Sequence, residues 1–449
     1  MSHAVSSHGD FETGWIGDKA QFLFGSVIQM KGVALRFDPR DSVMGYARTA
    51  HFLYRDHESN AGTMDSSASS RVLERRVLEP RFMTIRLCLT GNEPRQSYLF
   101  EELAQRATIA GVVPFEDVDL LTKYVAAGLS ISWPRSEWWY NYHMHPLLQR
   151  RHRNVLLRGL RRHLDSIDAL VMWGSWFHPF RSKTVSVPFF PYVDQSHTLT
   201  SLPGEPRGRF GRRKRAHALQ QECYVAAGAV FCMSEWARQQ TLASYDLRSD
   251  KVISVGWGPC AVDLSAETLS DQDQKGPPIV LHVSNNFYRK GLDYLVETAE
   301  RVCAVIPDAR FIVVGRDMSG FAVPTTRRVE FLGRIREKAR LQELFRAASL
   351  FFLPHRFDRS PHVLVEAMSA GLPLVASAQG GAVELIEDQL TGYLCSPGVI
   401  AEYADSIITL LRDSNLRKRM GKNGRALMLA KYNWPVIAQR MIDVISNEI

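Results

Sequence analysis

The strongest regularity in this chain is an alternation of short apolar runs with stretches of helical period, and it begins abruptly at Met83. MTIRLCLTG (Met83 to Gly91) is a buried-strand pattern that stops at glycine, and SYLFEELAQRA (Ser97 to Ala107) follows with apolar residues at helical spacing. Further strand patterns are ALVMWGS (Ala169 to Ser175), VSVPFFPYVD (Val185 to Asp194), GAVFCMS (Gly228 to Ser234) and KVISVGWG (Lys251 to Gly258), several of them separated by helical stretches. Such alternation predicts a parallel sheet covered on both faces. A polar break, SAETLSDQDQKGPP (Ser265 to Pro278), precedes a second series. Its strands are IVLHVS (279–284), RFIVVG (310–315), VEFLG (329–333), LFFLP (350–354), PLVAS (373–377) and GYLC (392–395), with helices such as Leu292 to Ile306 between them. The fold class is therefore α/β, with two Rossmann-like doubly wound domains, 83–263 and 264–432. Ligands are expected in a cleft facing the carboxyl ends of both sheets.

Residues 1–82 carry no comparable pattern. DHESNAGTMDSSASSRV (56–72) is polar and small, so this segment is expected to be a poorly ordered, dispensable extension, with a start at Met83 as an alternative. Apolar residues make up 45% and charged residues 23%, a balance that places the chain with soluble globular proteins. No apolar run approaches the roughly 20 residues that span a bilayer, and the N-terminus lacks a signal pattern, so a cytoplasmic location is expected. The six cysteines are scattered without a C-x-x-C pair, which reads as buried small side chains in a reducing compartment rather than a zinc site or disulfide frame.

Charge changes the picture in one place. The net charge is +8, and residues 150–215 alone hold 14 basic and 4 acidic residues. Leu147 to Ile167 reads as one amphipathic helix, with Leu156, Leu160, Leu164 and Ile167 on one face and Arg151, Arg158 and Arg162 opposite. A second basic tract runs from Arg207 to Leu219. A solvated helix face and peripheral contact with the anionic inner face of a membrane both fit. No aromatic platform or nucleic-acid motif accompanies the charge, so nucleic acid is not expected as a partner.

The most informative chemistry lies in FDRSPHVLVEAMSAG (Phe357 to Gly371). Asp358 falls in the loop after a strand and Glu366 inside the helix that follows, with Pro361 suited to its first turn. Such a helix start can bind an anion through its N–H groups. An acid near that start could accept hydrogen bonds from ribose hydroxyls, or could cap locally. In LHVSNNFYRKGLDYLV (Leu281 to Val296) a strand ends near Ser284 and Arg289-Lys290-Gly291 opens a helix, where a lysine can hold diphosphate and neutralise charge as it leaves.

These segments resemble the signature of glycosyltransferase family 4, retaining enzymes of GT-B fold. The resemblance is carried by the acid pair Asp358 and Glu366, by EAMSAGLPLVAS (Glu366 to Ser377) and by QGGAVELIEDQLTGYL (Gln379 to Leu394). It covers about Ile279 to Pro435 well and Met83 to Asp263 more loosely. Asp358 stands where the family usually has a glutamate, and Arg359-Ser360-Pro361 replaces a more glycine-rich loop. The family's frequent arginine before the lysine is absent, with Ser284 or Asn285 in its place. The resemblance implies a donor site of Ser284, Asn285, Arg289, Lys290, Pro361, His362, Val363, Glu366, Gly380 and Gly381. It makes Asp358 and Asp194 the candidate catalytic residues, with Gly91, Asn92 and His197, and more weakly His178, on the acceptor side. It also implies that 83–263 binds the acceptor, that 264–432 binds the nucleotide sugar, and that a closing helix, 433–449, crosses back to the first domain. The expected reaction is transfer from a nucleoside-diphosphate sugar to a glycan or lipid-linked acceptor. No D-x-D metal motif lies at a strand end, so no metal and no cofactor are expected. The alternatives are an inactive glycan- or partner-binding relative and a membrane-surface scaffold.

Overall fold

The computed structural model describes residues 85–91, 96–113, 118–131, 141–174, 178–180, 187–194, 210–267, 276–315 and 326–449. The expectations for residues 1–82, Asn92 and His197, and most of the basic tract from Arg207, lie outside them. The described residues belong to one compact unit.

The first sheet holds β1 (Arg86–Thr90), β2 (Thr108–Val113), β3 (Ala169–Trp173), β4 (Phe189–Val193), β5 (Val230–Cys232) and β6 (Val252–Ser254) in the order β2-β1-β3-β4-β5-β6. The second holds β7 (Ile279–Val283), β8 (Arg310–Val314), β9 (Val329–Gly333), β10 (Leu350–Leu353), β11 (Leu374–Ser377) and β12 (Gly392–Cys395) in the order β12-β11-β10-β7-β8-β9. Every pairing is parallel. Strands such as Phe189–Val193 and Leu350–Leu353 are buried along their whole length, which is why they read as continuous apolar runs. In the second sheet the winding reverses between β7 and β10, and in the first between β1 and β3. Those are the points where side chains at carboxyl ends are uncovered by a crossover helix.

The helices are α1 (Gln96–Ala104), α2 (Leu120–Leu129), α3 (Pro146–Leu160), α4 (Phe210–Ala226), α5 (Glu235–Ser244), α6 (Leu292–Val305), α7 (Lys338–Ala347), α8 (His362–Ser369), α9 (Ala382–Leu385), α10 (Ile400–Arg412), α11 (Ser414–Lys431) and α12 (Trp434–Glu448). Two features differ from the sequence reading. The long helix expected over Leu147 to Ile167 ends at Leu160, and a single 3-10 turn, Leu164–Ser166, carries the chain into β3. Leu156 and Leu160 are buried as expected, but Leu164 and Ile167 belong to the turn and the strand entry. Strand β2 was not anticipated, because its TIAGVV sequence is an edge strand with mixed exposure.

The last helix, α12, returns to lie against α1 of the first sheet. Its first residue, Trp434, is buried, and its indole Nε1 donates to the Pro259 carbonyl at 2.6 Å. The ring fills the space over Gly258, where an added Cβ would stand 2.6 Å from it. Trp434→Ala removes this plug and is expected to cost about 3–5 kcal/mol and to lower the thermal midpoint by roughly 5–10 °C. An unchanged midpoint by scanning fluorimetry would show that α12 is not anchored there.

Candidate active site

The site is built on the switch point of the second sheet, where β7 and β10 are hydrogen-bonded neighbours. After β7 the chain coils through residues 284–290 and enters α6 at Gly291, whose φ of 70° is open to glycine and strained for other residues. An added Cβ at Gly291 would stand 1.9 Å from the Pro354 carbonyl oxygen, so the β7 and β10 loops touch backbone to backbone. Arg356 fastens them. Its amide donates to the Arg289 carbonyl at 2.9 Å, its guanidinium holds Asp293 through two bonds of 2.8 and 2.5 Å, and it lies over the rings of Tyr288 and Tyr294 at 4.4 and 4.2 Å. This half-buried bidentate pair fixes the register of the two residues before Gly291.

Those residues are Arg289 and Lys290, and both close on Asp358. The Lys290 ammonium donates to Asp358 Oδ2. Arg289 donates to Asp358 Oδ1 at 3.2 Å and to the Phe357 carbonyl at 3.3 Å. Lys290 is 6% exposed and Asp358 7%, so the pair is desolvated. Burial by itself would raise the Asp358 pKa, but Lys290 and then Arg289 overcome it and hold the carboxyl well below the usual carboxylate range. Two cations therefore share one ionised carboxylate at the strand ends.

The third strand end contributes the Gly380-Gly381 turn. The Gly381 amide donates to the Asp358 carbonyl at 2.9 Å, and an added Cβ at Gly380, with φ 60°, would stand 1.9 Å from the same oxygen. Beside it, buried His355 sets its two ring nitrogens 3.1 Å from the Leu353 and Gln379 carbonyl oxygens, and burial pushes its pKa down. Under β7, His282 faces the Phe352 carbonyl with Nδ1 at 2.9 Å and the Ser284 hydroxyl with Nε2 at 3.0 Å. A carbonyl only accepts, so Nδ1 carries the proton and Ser284 donates to Nε2. Burial holds His282 neutral, with its pKa pushed down to about 4. The Ser284 hydroxyl proton is thus spent inside the sheet, while Asn285 is exposed.

Helix α8 starts with Pro361 at its N-cap, not within its first turn, and runs from His362 to Ser369. Val363 is half-buried against the core. The Ser360 hydroxyl, just before the helix, is buried and has no hydrogen-bond partner among the described residues. Glu366, one turn in, is buried, and its Oε1 accepts from the amides of Cys260 at 3.2 Å and Ala261 at 2.7 Å, in the segment that leaves the first sheet. His362 Nδ1 lies 3.0 Å from the Gly258 carbonyl and 3.3 Å from Cys260 Sγ in the same segment. Lys290 and Asp358 therefore meet at the carboxyl edge of adjacent strands, while Glu366 is tied to the segment that leaves the first sheet.

From the first sheet, Asp194 is exposed at the end of β4 and Gly91 is buried at the end of β1, at that sheet's own switch point. Asp194 acts on Arg359. Burial lowers the pKa of that guanidinium, and the Asp194 charge opposes the shift. His178 does not face the site. Its Nδ1 accepts from the Phe180 amide at 2.9 Å and its ring lies 5.2 Å from Phe189. Sequence reasoning gave no role to His355 or to the Ser360 hydroxyl. Their only signal was a polar residue in a loop beside Asp358, whose partners are set by residues far along the chain.

Two parallel doubly wound sheets, each with a switch point at its carboxyl edge, define the GT-B fold. A family model described as glycosyl transferases group 1 matches residues 267–427. The chain is 25% identical over 326 residues to the alpha-D-kanosaminyltransferase of Streptomyces kanamyceticus, covering 66% of this chain and 79% of that one. It is 28% identical to a GDP-mannose-dependent phosphatidylinositol monomannoside mannosyltransferase of Corynebacterium glutamicum, over 38% of this chain and 48% of the relative. Among solved structures, the sucrose-phosphate synthase of Thermosynechococcus elongatus superposes with a TM-score of 0.59 at 17% identity, covering 81% of this chain and 98% of that one. Anabaena HepE in complex with UDP superposes with a TM-score of 0.56 at 17% identity, over 81% and 100% of the two chains.

One titratable group spans the two sheets outside this cluster. The Glu384 carboxyl, on α9, accepts from the Glu235 amide at the start of α5 at 2.9 Å, and its other oxygen is buried without a partner. Burial pushes its pKa up to about 7, against the two amide bonds that favour the charge. The folded state then binds the proton more tightly than the unfolded chain, whose carboxyl titrates near 4.5. This contribution is fully present below pH of about 4.5 and is lost as pH rises to about 7. Glu384→Gln is expected to remove it, so that the variant's thermal midpoint falls a few degrees less than the parent's between pH 5 and pH 8. Parallel midpoint curves would refute the assignment.

Proposed function

We propose that this glycosyltransferase transfers the sugar of a nucleoside diphosphate sugar with retention, and that the Lys290–Asp358–Arg289 cluster is its leaving-group site. The observation that carries this reading is the pair of cations held on one buried, ionised carboxylate at the switch point of the second sheet. Diphosphate builds negative charge as the glycosidic bond breaks. Preorganised cations in a desolvated site stabilise that charge without reorganising. Lys290 and the Ser360 hydroxyl would contact the diphosphate, with the start of α8 and the Gly380-Gly381 turn beside it. Glu366 would take the ribose hydroxyls. Asp358 holds Lys290 charged and in place, and its carboxylate would face the sugar's hydroxyls.

No side chain in the cluster is placed as a covalent nucleophile, since Asp358 is held by two cations. Front-face displacement fits this arrangement. The bond between the anomeric carbon and the diphosphate oxygen breaks, that phosphate oxygen takes the acceptor hydroxyl's proton, and the acceptor oxygen bonds to the anomeric carbon from the same face. Asp194 would orient the acceptor, with Gly91 at the neighbouring strand end. The cations supply the charge neutralisation that a bound metal ion provides elsewhere, so transfer is proposed to proceed without a metal. The names of the relatives support a nucleotide-sugar donor and a glycan or lipid-linked acceptor.

Lys290→Ala and Glu366→Ala are each expected to lower turnover at least ~100-fold, the scale for losing one transition-state contact. Chelation with EDTA is expected to leave the parent rate unchanged. A thermal-shift panel of UDP, GDP, ADP and their sugars identifies the donor, and Lys290→Ala should abolish the shift produced by the best ligand. Full activity in both variants would refute the site.

A further inference from the structure

Helix α5 begins at the carboxyl end of β5 in the first sheet, and its own residues satisfy only part of its first turn. The opening amides of a helix have no intrahelical acceptor. The hydroxyl of Ser234, the N-cap, accepts from the Ala237 amide at 3.0 Å. The two amides before it belong to Glu235 and Trp236, and a carboxyl from the second sheet meets them. Glu384 Oε2 accepts from the Glu235 amide at 2.9 Å, and the Trp236 amide also bonds this carboxyl. Its Oε1 is buried with no hydrogen-bond partner among the described residues. Glu384 stands on α9, just after the Gly380-Gly381 turn whose Gly381 amide fixes the Asp358 carbonyl. Beside the same helix start, the Trp236 ring meets the Phe357 ring edge-on at 5.0 Å, one residue before Asp358. The opening turn of α5 thus touches both loops that flank the proposed diphosphate site. From α5, Glu235 acts on the Glu384 carboxyl as a like charge, and holds Arg238 at 3.0 Å. From the corner between α11 and α12, the Tyr432 hydroxyl donates to the Glu384 backbone carbonyl at 2.8 Å, and Arg440 and Glu387 act on that phenol together with Glu384.

We infer that Glu384 is a positioning residue, a proton-operated tie that sets the diphosphate turn of the second sheet against the start of α5 in the first. A carboxyl can accept from the amides in either protonation state, but the neutral form avoids the cost of a desolvated charge beside Glu235. Joined, the group titrates at about 7, and parted in water it returns to about 4.5. The joined state therefore binds the proton more tightly. Its advantage is full below pH of about 4.5 and is lost as pH rises to about 7. The tie is accordingly tight in mildly acidic solution and slack in alkaline solution. A slack tie leaves the Gly380-Gly381 turn less fixed, and a turn already in place binds diphosphate more tightly than one ordered on binding. The inference rests on the proposed donor site only for this last step.

Two measurements on the full chain test it. Hydrogen exchange, read by mass spectrometry on the peptide that holds Glu235 and Trp236, reports the tie without any nucleotide. Glu384→Ala is expected to speed exchange of that peptide at least about fivefold, and Glu384→Gln, which keeps an accepting oxygen, is expected to preserve the protection. Nucleotide affinity reports the consequence. With the best ligand of the UDP, GDP and ADP panel, the parent is expected to lose about three- to tenfold more affinity than Glu384→Gln between pH 6 and pH 8.5, since one pH unit below the joined titration point is worth about tenfold. Comparing the two proteins cancels the nucleotide's own titration. Unchanged exchange in Glu384→Ala, or parallel affinity curves for the parent and Glu384→Gln, would overturn the tie. A panel without a hit would sink the donor site instead, and the exchange measurement would still decide the tie.

Discussion

The contact on which the rest of the structure turns is the buried bridge from Lys290 to Asp358. Desolvating a lysine and an aspartate is expensive, and their attraction repays it only when geometry is fixed and the remaining valences are filled. Here the geometry is fixed from three sides. Gly291 lets the two loops meet at backbone distance, the Arg356–Asp293 pair locks their register, and the Gly381 amide ties the Asp358 carbonyl to the β11 turn. Arg289 completes the carboxylate's coordination. A protein that needed only stability could fill this space with leucines at lower cost. Retaining two cations on one anion makes sense where a further anion arrives.

His282 stands beside the same bridge. Burial, and after it Lys290, push its pKa down, and its neutral ring donates from Nδ1 to the Phe352 carbonyl and accepts from Ser284 at Nε2. For His355 burial lowers the pKa, while Asp358 and the two carbonyl oxygens that face its ring nitrogens oppose the shift.

Much of this was legible in the chain, for reasons that differ by element. The strands from β7 to β12 are short apolar runs ended by polar or glycine residues, and parallel strands buried on both faces leave that trace. Edge strand β2 escaped because half exposure blurs the pattern, and because Gly111 sits in it for packing: an added Cβ there would lie 2.7 Å from the His163 ring. The end of α3 escaped because Leu164 and Ile167 continue its apolar period while serving the turn into β3. In the site, Lys290, Asp358 and Glu366 could be picked out by spacing, since each lies a fixed distance from a strand end. Their partners could not. Arg289 could be placed in the donor site from its position, but its bond to Asp358 depends on the backbone contact at Gly291. Ser360 becomes notable only once its hydroxyl is seen to be buried and unpartnered among the described residues.

Glu366 carries the least legible part of the design. Its carboxylate accepts from the amides of Cys260 and Ala261, more than a hundred residues away, in the segment that joins the first sheet to the second. His362, on the same helix, reaches the Gly258 carbonyl in that segment, and Trp434 closes on Pro259 from the returning helix α12. The residue assigned to the ribose is therefore also a fastening of the inter-sheet connection. A ribose hydroxyl bonding to Glu366 must share the carboxylate with those amides through its second oxygen or replace them. Sharing would leave the connection fixed and make the donor pocket rigid. Replacement would release one of the ties between the sheets at the moment the donor binds. On the proposed assignment of Glu366, donor binding and the setting of the two sheets would draw on one carboxylate, and the two would be coupled by hydrogen-bond capacity rather than by any long pathway.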